Sequence, residues 1–213
     1  MTQIKYVAIA MISLLLIVSC GVQKESNTPF EGKLVYSVSS VENNPNDADS
    51  INYQVVYAKD SLLRIESFTP IGKQIYIKHI PKERAYILMD LYEKKVAIQT
   101  ITDTIDRSDK YSFKSKMGSK TFAGKKAKNI AVTFNELDTT IVMNYIEDIS
   151  PQYTEAIEGI PGLPVKYSVY SKGLWITYEL ISFEEREISK DKFGIPSDHE
   201  IMTLDEFMKI MQN

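Results

Sequence analysis

Apolar residues recur at every second position through most of this chain. In Lys33–Ser40, Leu34, Tyr36 and Val38 fall on one face, and Ile51–Tyr57 places Ile51, Tyr53, Val55 and Tyr57 together. A period of two marks a strand with one buried face. Leu62–Phe68, Lys73–Ile80, Arg84–Met89 and Lys95–Thr100 follow, with Pro81-Lys82-Glu83 and Glu93-Lys94 as intervening turns. A second group comprises Tyr111–Lys116, Lys125–Phe134, Thr139–Ile146, Val165–Ser171, Leu174–Phe183 and Glu185–Ser189. Ser171-Lys172-Gly173, between two aromatic-rich runs, has the chemistry of a tight hairpin turn. Ten to twelve short strands at near-regular spacing predict a mainly β protein. Its large antiparallel sheet should be curled or closed, which limits exposed edges.

Helical spacing is rare. Ser150-Pro151 offers a cap and a first-turn proline, predicting a short helix to Ile157. Thr203-Leu204-Asp205-Glu206 is a capping box, after which Leu204, Phe207, Met208 and Met211 form one apolar stripe. The stripe predicts a C-terminal helix docked on its own sheet.

The N-terminus breaks the pattern. Tyr6–Val18 is an almost unbroken apolar run of thirteen residues behind Lys5. A membrane-spanning helix needs about 20 residues, so the run reads as the core of an export signal. Its close, Ile17-Val18-Ser19-Cys20, resembles a bacterial lipobox. That resemblance implies cleavage before Cys20, a diacylglycerol on its thiol and acylation of the new amino terminus. Two or more acyl chains give stable anchoring where one gives only marginal binding. Cys20 is the chain's one cysteine, so it has no disulfide partner within the chain. A structural zinc site needs about four ligands, and one Cys with two distant His does not supply them. The expected organisation is a signal peptide over 1–19, a polar tether over 20–29 and one domain over 30–213. Gln23-Lys24-Glu25-Ser26 partly resembles a surface-export signal of Bacteroidetes-type lipoproteins. The expected location is therefore the cell envelope, lipid-anchored at the outer membrane, facing either the periplasm or the surface.

Charge adds one feature. Lys110, Lys114, Lys116, Lys120, Lys125, Lys126 and Lys128 lie in nineteen residues that contain no Asp or Glu. The whole chain carries −3, so these seven lysines leave −10 for everything else. That balance gives no global case for nucleic acid. Lys114 and Lys116 share a strand face, and with Lys120 they suit an anionic surface, where each basic residue is worth about 1 kcal/mol. A lysine-protected strand edge accounts for the same residues.

Catalytic and metal motifs are lacking. No G-x-S-x-G elbow occurs. His79 alternates with Ile75 and Ile77 as a strand residue, and His199, beside Ser197 and Asp198, reads as a loop residue before the helix. Asn44–Ser50 lacks the glycine and distal glutamate of a calcium loop. Gly118-Ser119-Lys120-Thr121 fails the phosphate-loop pattern. Asp103, Asp106, Asp109, Glu184, Glu185 and Glu187 mark no particular pair. The reading is a non-enzyme with no cofactor and no metal.

Four segments carry a family resemblance. Lys120–Lys128, Ile141–Ile149, Gly159-Ile160-Pro161-Gly162-Leu163-Pro164-Val165 and Phe193-Gly194-Ile195-Pro196-Ser197-Asp198 occur in the order and spacing of the uncharacterised Bacteroidetes families DUF4412 and GLPGLI. The chain departs from them in having Ala127 where many members carry a cysteine, and His199 where an aromatic is commoner. The resemblance implies a curved antiparallel half-barrel with helices on its concave side, like LolA, LolB and RseB. It also implies a hydrophobic ligand, a lipid or lipoprotein acyl chain, with Tyr36, Met143, Tyr145, Leu163 and Trp175 as candidate lining. The competing expectation is an envelope scaffold that binds protein through a sheet edge or the lysine-rich face. The carrier predicts an apolar cavity, and the scaffold predicts a filled interior.

Overall fold

A computed structural model describes residues 29–41, 52–69, 72–82, 84–91, 94–101, 110–154 and 157–211. Cys20, the export signal and most of the tether lie outside the described residues. So do Asn44–Ser50 and Asp103, Asp106 and Asp109.

Among the described residues, twelve strands form one sheet, curved and unclosed. They are β1 (Gly32–Val41), β2 (Asn52–Lys59), β3 (Leu62–Thr69), β4 (Gly72–His79), β5 (Arg84–Leu91) and β6 (Lys94–Ile101), then β7 (Tyr111–Phe122), β8 (Lys125–Phe134), β9 (Thr139–Ile146), β10 (Leu163–Ser171), β11 (Leu174–Glu185) and β12 (Glu200–Thr203). Their spatial order is β12-β6-β5-β4-β3-β2-β1-β11-β10-β9-β8-β7. Two antiparallel meanders, β1 to β6 and β7 to β11, are joined where β1 pairs with β11. The mainly β, half-barrel expectation matches this architecture. Two details differ. Glu185–Ser189 forms no strand of its own, and the twelfth strand is Glu200–Thr203, which pairs parallel to β6.

Hairpin geometry follows local chemistry. Lys172 and Gly173 have φ of 51° and 86°, and Ala123 and Gly124 have 46° and 78°. Positive φ at both central residues is what a two-residue turn matching strand twist requires. Strand β7 runs on to Phe122 rather than stopping at Lys116, because a bulge at Met117-Gly118 lets pairing with β8 resume at Ser119.

The inner face carries the main core. Leu34, Tyr36, Val56, Leu63, Val132, Met143 and Leu163 are all essentially inaccessible within it. Ile65, Tyr76, Ile87 and Ile98 sit on consecutive rungs from β3 to β6, so the same face continues to the far edge. There Val96, Ile98 and Met202 meet Phe207 of the helix α1 (Leu204–Met211). The capping box forms as predicted: Thr203 N–H donates to Glu206 Oε2 at 2.7 Å, and Glu206 N–H donates to Thr203 Oγ1 at 3.3 Å. Docking is narrower than the stripe suggested, since Leu204 and Met208 remain about half exposed.

The segment from Ser150 is a single 3-10 turn, Pro151–Tyr153, and not a helix to Ile157. Its purpose lies in Tyr153, which is wholly buried. The Tyr153 hydroxyl donates to Asp60 O at 2.8 Å and accepts from Phe30 N–H at 3.1 Å. One side chain thus ties the entry to β1 and the β2–β3 turn to the β9–β10 connection. Gly159 and Gly162 serve the same connection. A Cβ at Gly162 would meet Ile146 O at 2.2 Å, and one at Gly159 would meet the Phe113 ring at 2.7 Å.

On the outer face, residues 186–199 form a strap from β11 across to β12. Glu66 anchors it. This buried carboxylate accepts from Arg64 Nε and Lys73 Nζ, each at 2.7 Å, and lies 3.6 Å from Lys192 Nζ of the strap. Arg64 also donates to Lys192 O at 3.1 Å, and the Lys192 ammonium sits 4.2 Å over the Tyr57 ring. Burial pushes the Glu66 carboxyl up, but hydrogen bonds and charge from Lys73 and Arg64 outweigh it and hold its pKa below the ordinary value.

Two expected outcomes follow from these ties. Tyr153→Phe strands the buried Phe30 N–H and releases Asp60 O, and should cost about 1–3 kcal/mol, lowering the urea midpoint with the slope unchanged. Glu66→Gln should cost about 3 kcal/mol near neutral pH, because it leaves partly buried cations uncompensated. A lowered folded pKa gives stability that is full above the unfolded value and fades as pH falls through the folded one. The gap between wild type and E66Q should therefore shrink below about pH 4.5; a gap constant from pH 7 to 3 in denaturant melts would refute the assignment.

Candidate functional site

The candidate lining residues are brought together, but as core. Tyr36, Met143 and Leu163 are essentially inaccessible, Tyr145 is buried, and Trp175 packs at the margin against Phe134, with ring centroids 4.8 Å apart. The Tyr36 hydroxyl donates to Pro164 O at 2.8 Å, and burial raises its pKa. Tyr167 stacks on Tyr178 at 4.8 Å. These rings pack on one another, and Tyr36 spends its hydroxyl on the backbone.

The lysine-rich segment behaves differently. Strand β7 is an edge of the sheet, and residues 112–121 are all exposed. Three of the seven lysines are neutralised: Lys110 by Glu136, Lys125 by Glu185 and Lys128 by Glu147. Lys114, Lys116, Lys120 and Lys126 make no ion pair among the described residues. The ladder sets Lys114, Lys116 and Lys120 opposite Ala131, Asn129 and Ala127. Because the bulge between Lys116 and Ser119 inserts two residues, alternation is preserved across it and all three lysines share one face. Asn129 holds the bulge, donating to Met117 O at 3.0 Å and accepting from Asn144 Nδ2 at 2.7 Å. Met117, at the bulge, is 96% exposed. Phe113, 38% exposed, lies against Gly159.

The titratable residues flagged in sequence are taken up by structure. His199 Nδ1 lies 2.9 Å from Asp198 Oδ1, and Lys95 donates to Asp198 Oδ2 at 2.8 Å. Lys95 and then His199 hold the Asp198 pKa down at about 2. This pair pins the approach to β12 against β6. His79 Nε2 lies 3.5 Å from Phe193 O of the strap. Among the described residues, no three His, Cys, Asp or Glu converge as a metal site, and no helix is long and apolar enough to cross a membrane.

Sequence reasoning missed one concavity. A cavity of about 260 Å³ opens on the outer face between the β4–β5 hairpin and the strap. His79 pairs with Arg84 and Ile77 with Tyr86, so the four side chains share the outer face on adjacent rungs. Lys82 enters from the 3-10 turn Ile80–Lys82, and Phe193, Gly194 and Ile195 of the strap close the other side. The available signal was Ala85-Tyr86-Ile87-Leu88-Met89, an unbroken apolar run. Such a run means a strand covered on both faces.

No family model matches the chain, and no curated protein matches it. Among solved structures, it resembles a structure of PNGF-II with a TM-score of 0.50 at 12% identity, over 85% of this chain and 33% of that one. A second PNGF-II structure gives 0.49 at the same identity and coverage. The chain thus spans about a third of the length of these structures, and the likeness is one of fold alone.

Proposed function

We propose that the protein is a non-enzymatic, lipid-anchored module of the bacterial cell envelope that binds a partner protein through the β7 edge and its lysine face. One contrast carries this reading. The inner face is occupied by interlocking side chains, whereas β7 presents ten consecutive exposed residues and a row of unneutralised lysines. The burial of Tyr36, Met143, Tyr145 and Leu163 among core neighbours supports a packing role for them. The weight therefore moves from a carrier of hydrophobic ligands to a surface binder. In this reading Cys20 bears the lipid, the polar segment after it is a tether, and the DUF4412- and GLPGLI-like segments supply scaffold turns. Gly159–Val165 supports that assignment by packing Ile160 and Leu163 into the core.

A row of lysines attracts an acidic partner through charges that salt screens, with a Debye length of about 8 Å at physiological ionic strength. The protein should therefore co-purify with a stoichiometric protein partner after gentle extraction and release it as salt rises. The triple variant Lys114→Glu, Lys116→Glu, Lys120→Glu alters exposed positions and should shift stability by less than about 1 kcal/mol. It should weaken capture at least about tenfold. Recovery of lipid in place of protein, or capture unchanged by charge reversal, would sink the proposal.

A further inference from the structure

We propose that the outer-face cavity binds a small amphiphilic anion: an organic carboxylate on a short apolar body. The site is separate from the β7 surface and does not depend on the reading above.

The cavity is polarised along its length. At the hairpin end the ladder places His79 and Arg84 on one rung, with Lys82 arriving from the adjoining turn. One rung further in, Ile77 and Tyr86 replace them, and the strap adds Phe193 and Ile195. Ile77 and Phe193 are buried, so the inner end is a well-packed apolar wall. Positive groups thus gather at one end and carbon surface at the other.

The charges there lack compensation. Lys82 and Arg84 make no ion pair among the described residues, and both are exposed. The residues that line the cavity include no carboxylate, although the chain as a whole is acidic at −3. Like charges held side by side oppose folding, and a bound anion relieves that repulsion. The guanidinium fork of Arg84 matches two carboxylate oxygens, which a compact ammonium does not.

Volume sets the ligand's size. The 260 Å³ lies just under the usual range of ligand pockets. At about 30 Å³ for each water-sized atom it admits on the order of nine non-hydrogen atoms. Octanoate is close to that size and supplies both halves of the required chemistry. Its strap wall is held by the Glu66 cluster, so the cavity is formed before the ligand arrives.

The test is a heteronuclear NMR titration of the full-length chain with octanoate. Saturable shifts should map to Ile77, Tyr86 and Phe193–Ile195. Octanol, with the body but no charge, and inorganic phosphate, with charge but no body, should each bind at least about tenfold more weakly. The double variant Lys82→Gln, Arg84→Gln should lose at least about tenfold in octanoate affinity with an unchanged melting temperature. Gly194→Leu should abolish binding by filling the cavity. Its new Cβ would meet nothing closer than Asp191 O at 3.5 Å, so the fold should tolerate it. The proposal is overturned by shifts that do not saturate, by phosphate or octanol binding as well as octanoate, or by octanoate binding that the double variant leaves intact.

Discussion

Everything in this fold hangs on the pairing of β1 with β11. Gly32 opposes Glu185 and Val41 opposes Trp175, so strands well over a hundred residues apart become neighbours. Closing a loop of about 150 residues has a length-dependent cost of about 4 kcal/mol. The joint offsets it with a ten-residue strand whose Gly32, Leu34 and Tyr36 are buried between β2 and β11. Without this seam there would be two separate meanders, each with bare edges. With it, the core runs continuously from Leu63 and Ile65 on β3 to Val132 and Phe134 on β8.

The two sides of the sheet are then used for different ends. The inner side is closed by the Gly159–Val165 turn and by Tyr153, whose single hydroxyl serves two backbone partners. The outer side of the first meander is crossed by the strap, which an ionic cluster holds in place. A buried carboxylate among three cations is costly to desolvate, so its gain is positional. It fixes where the strap lies, and with that the depth of the cavity and the arrival of β12 beside β6.

Much of this was legible in the residues. Alternation located ten strands closely because apolar residues recur at every second position in most of them, and the Thr203–Glu206 box announced its helix by a purely local exchange of hydrogen bonds. What was missed depends on distant partners. Glu200–Thr203 is four residues long, and nothing in it says strand until β6 offers an edge. Strand β7 was cut short because Met117-Gly118 interrupts its pairing with β8, and the Asn129–Asn144 pair that holds the bulge comes from two other strands. The packing of the candidate lining residues was hidden for a related reason. Tyr36, Met143 and Leu163 carry the same apolar character whether they face a void or one another, and only packing decides. Arg84 and Tyr86 were passed over because a cavity made by a strap has no period at all.

The bulge at Met117 has a consequence for how the edge can be used. Gly118 sits at φ +101°, a conformation that most residues adopt only under strain, and its register jump divides β7 into Tyr111–Lys116 and Ser119–Phe122. A flat strand laid against this rim would stay in step over one part and fall out of step at the other. Copies of the protein crowded side by side therefore cannot zip into an extending ribbon, however high their local concentration. The irregularity lets a long, uncovered rim exist without becoming a seed for fibres.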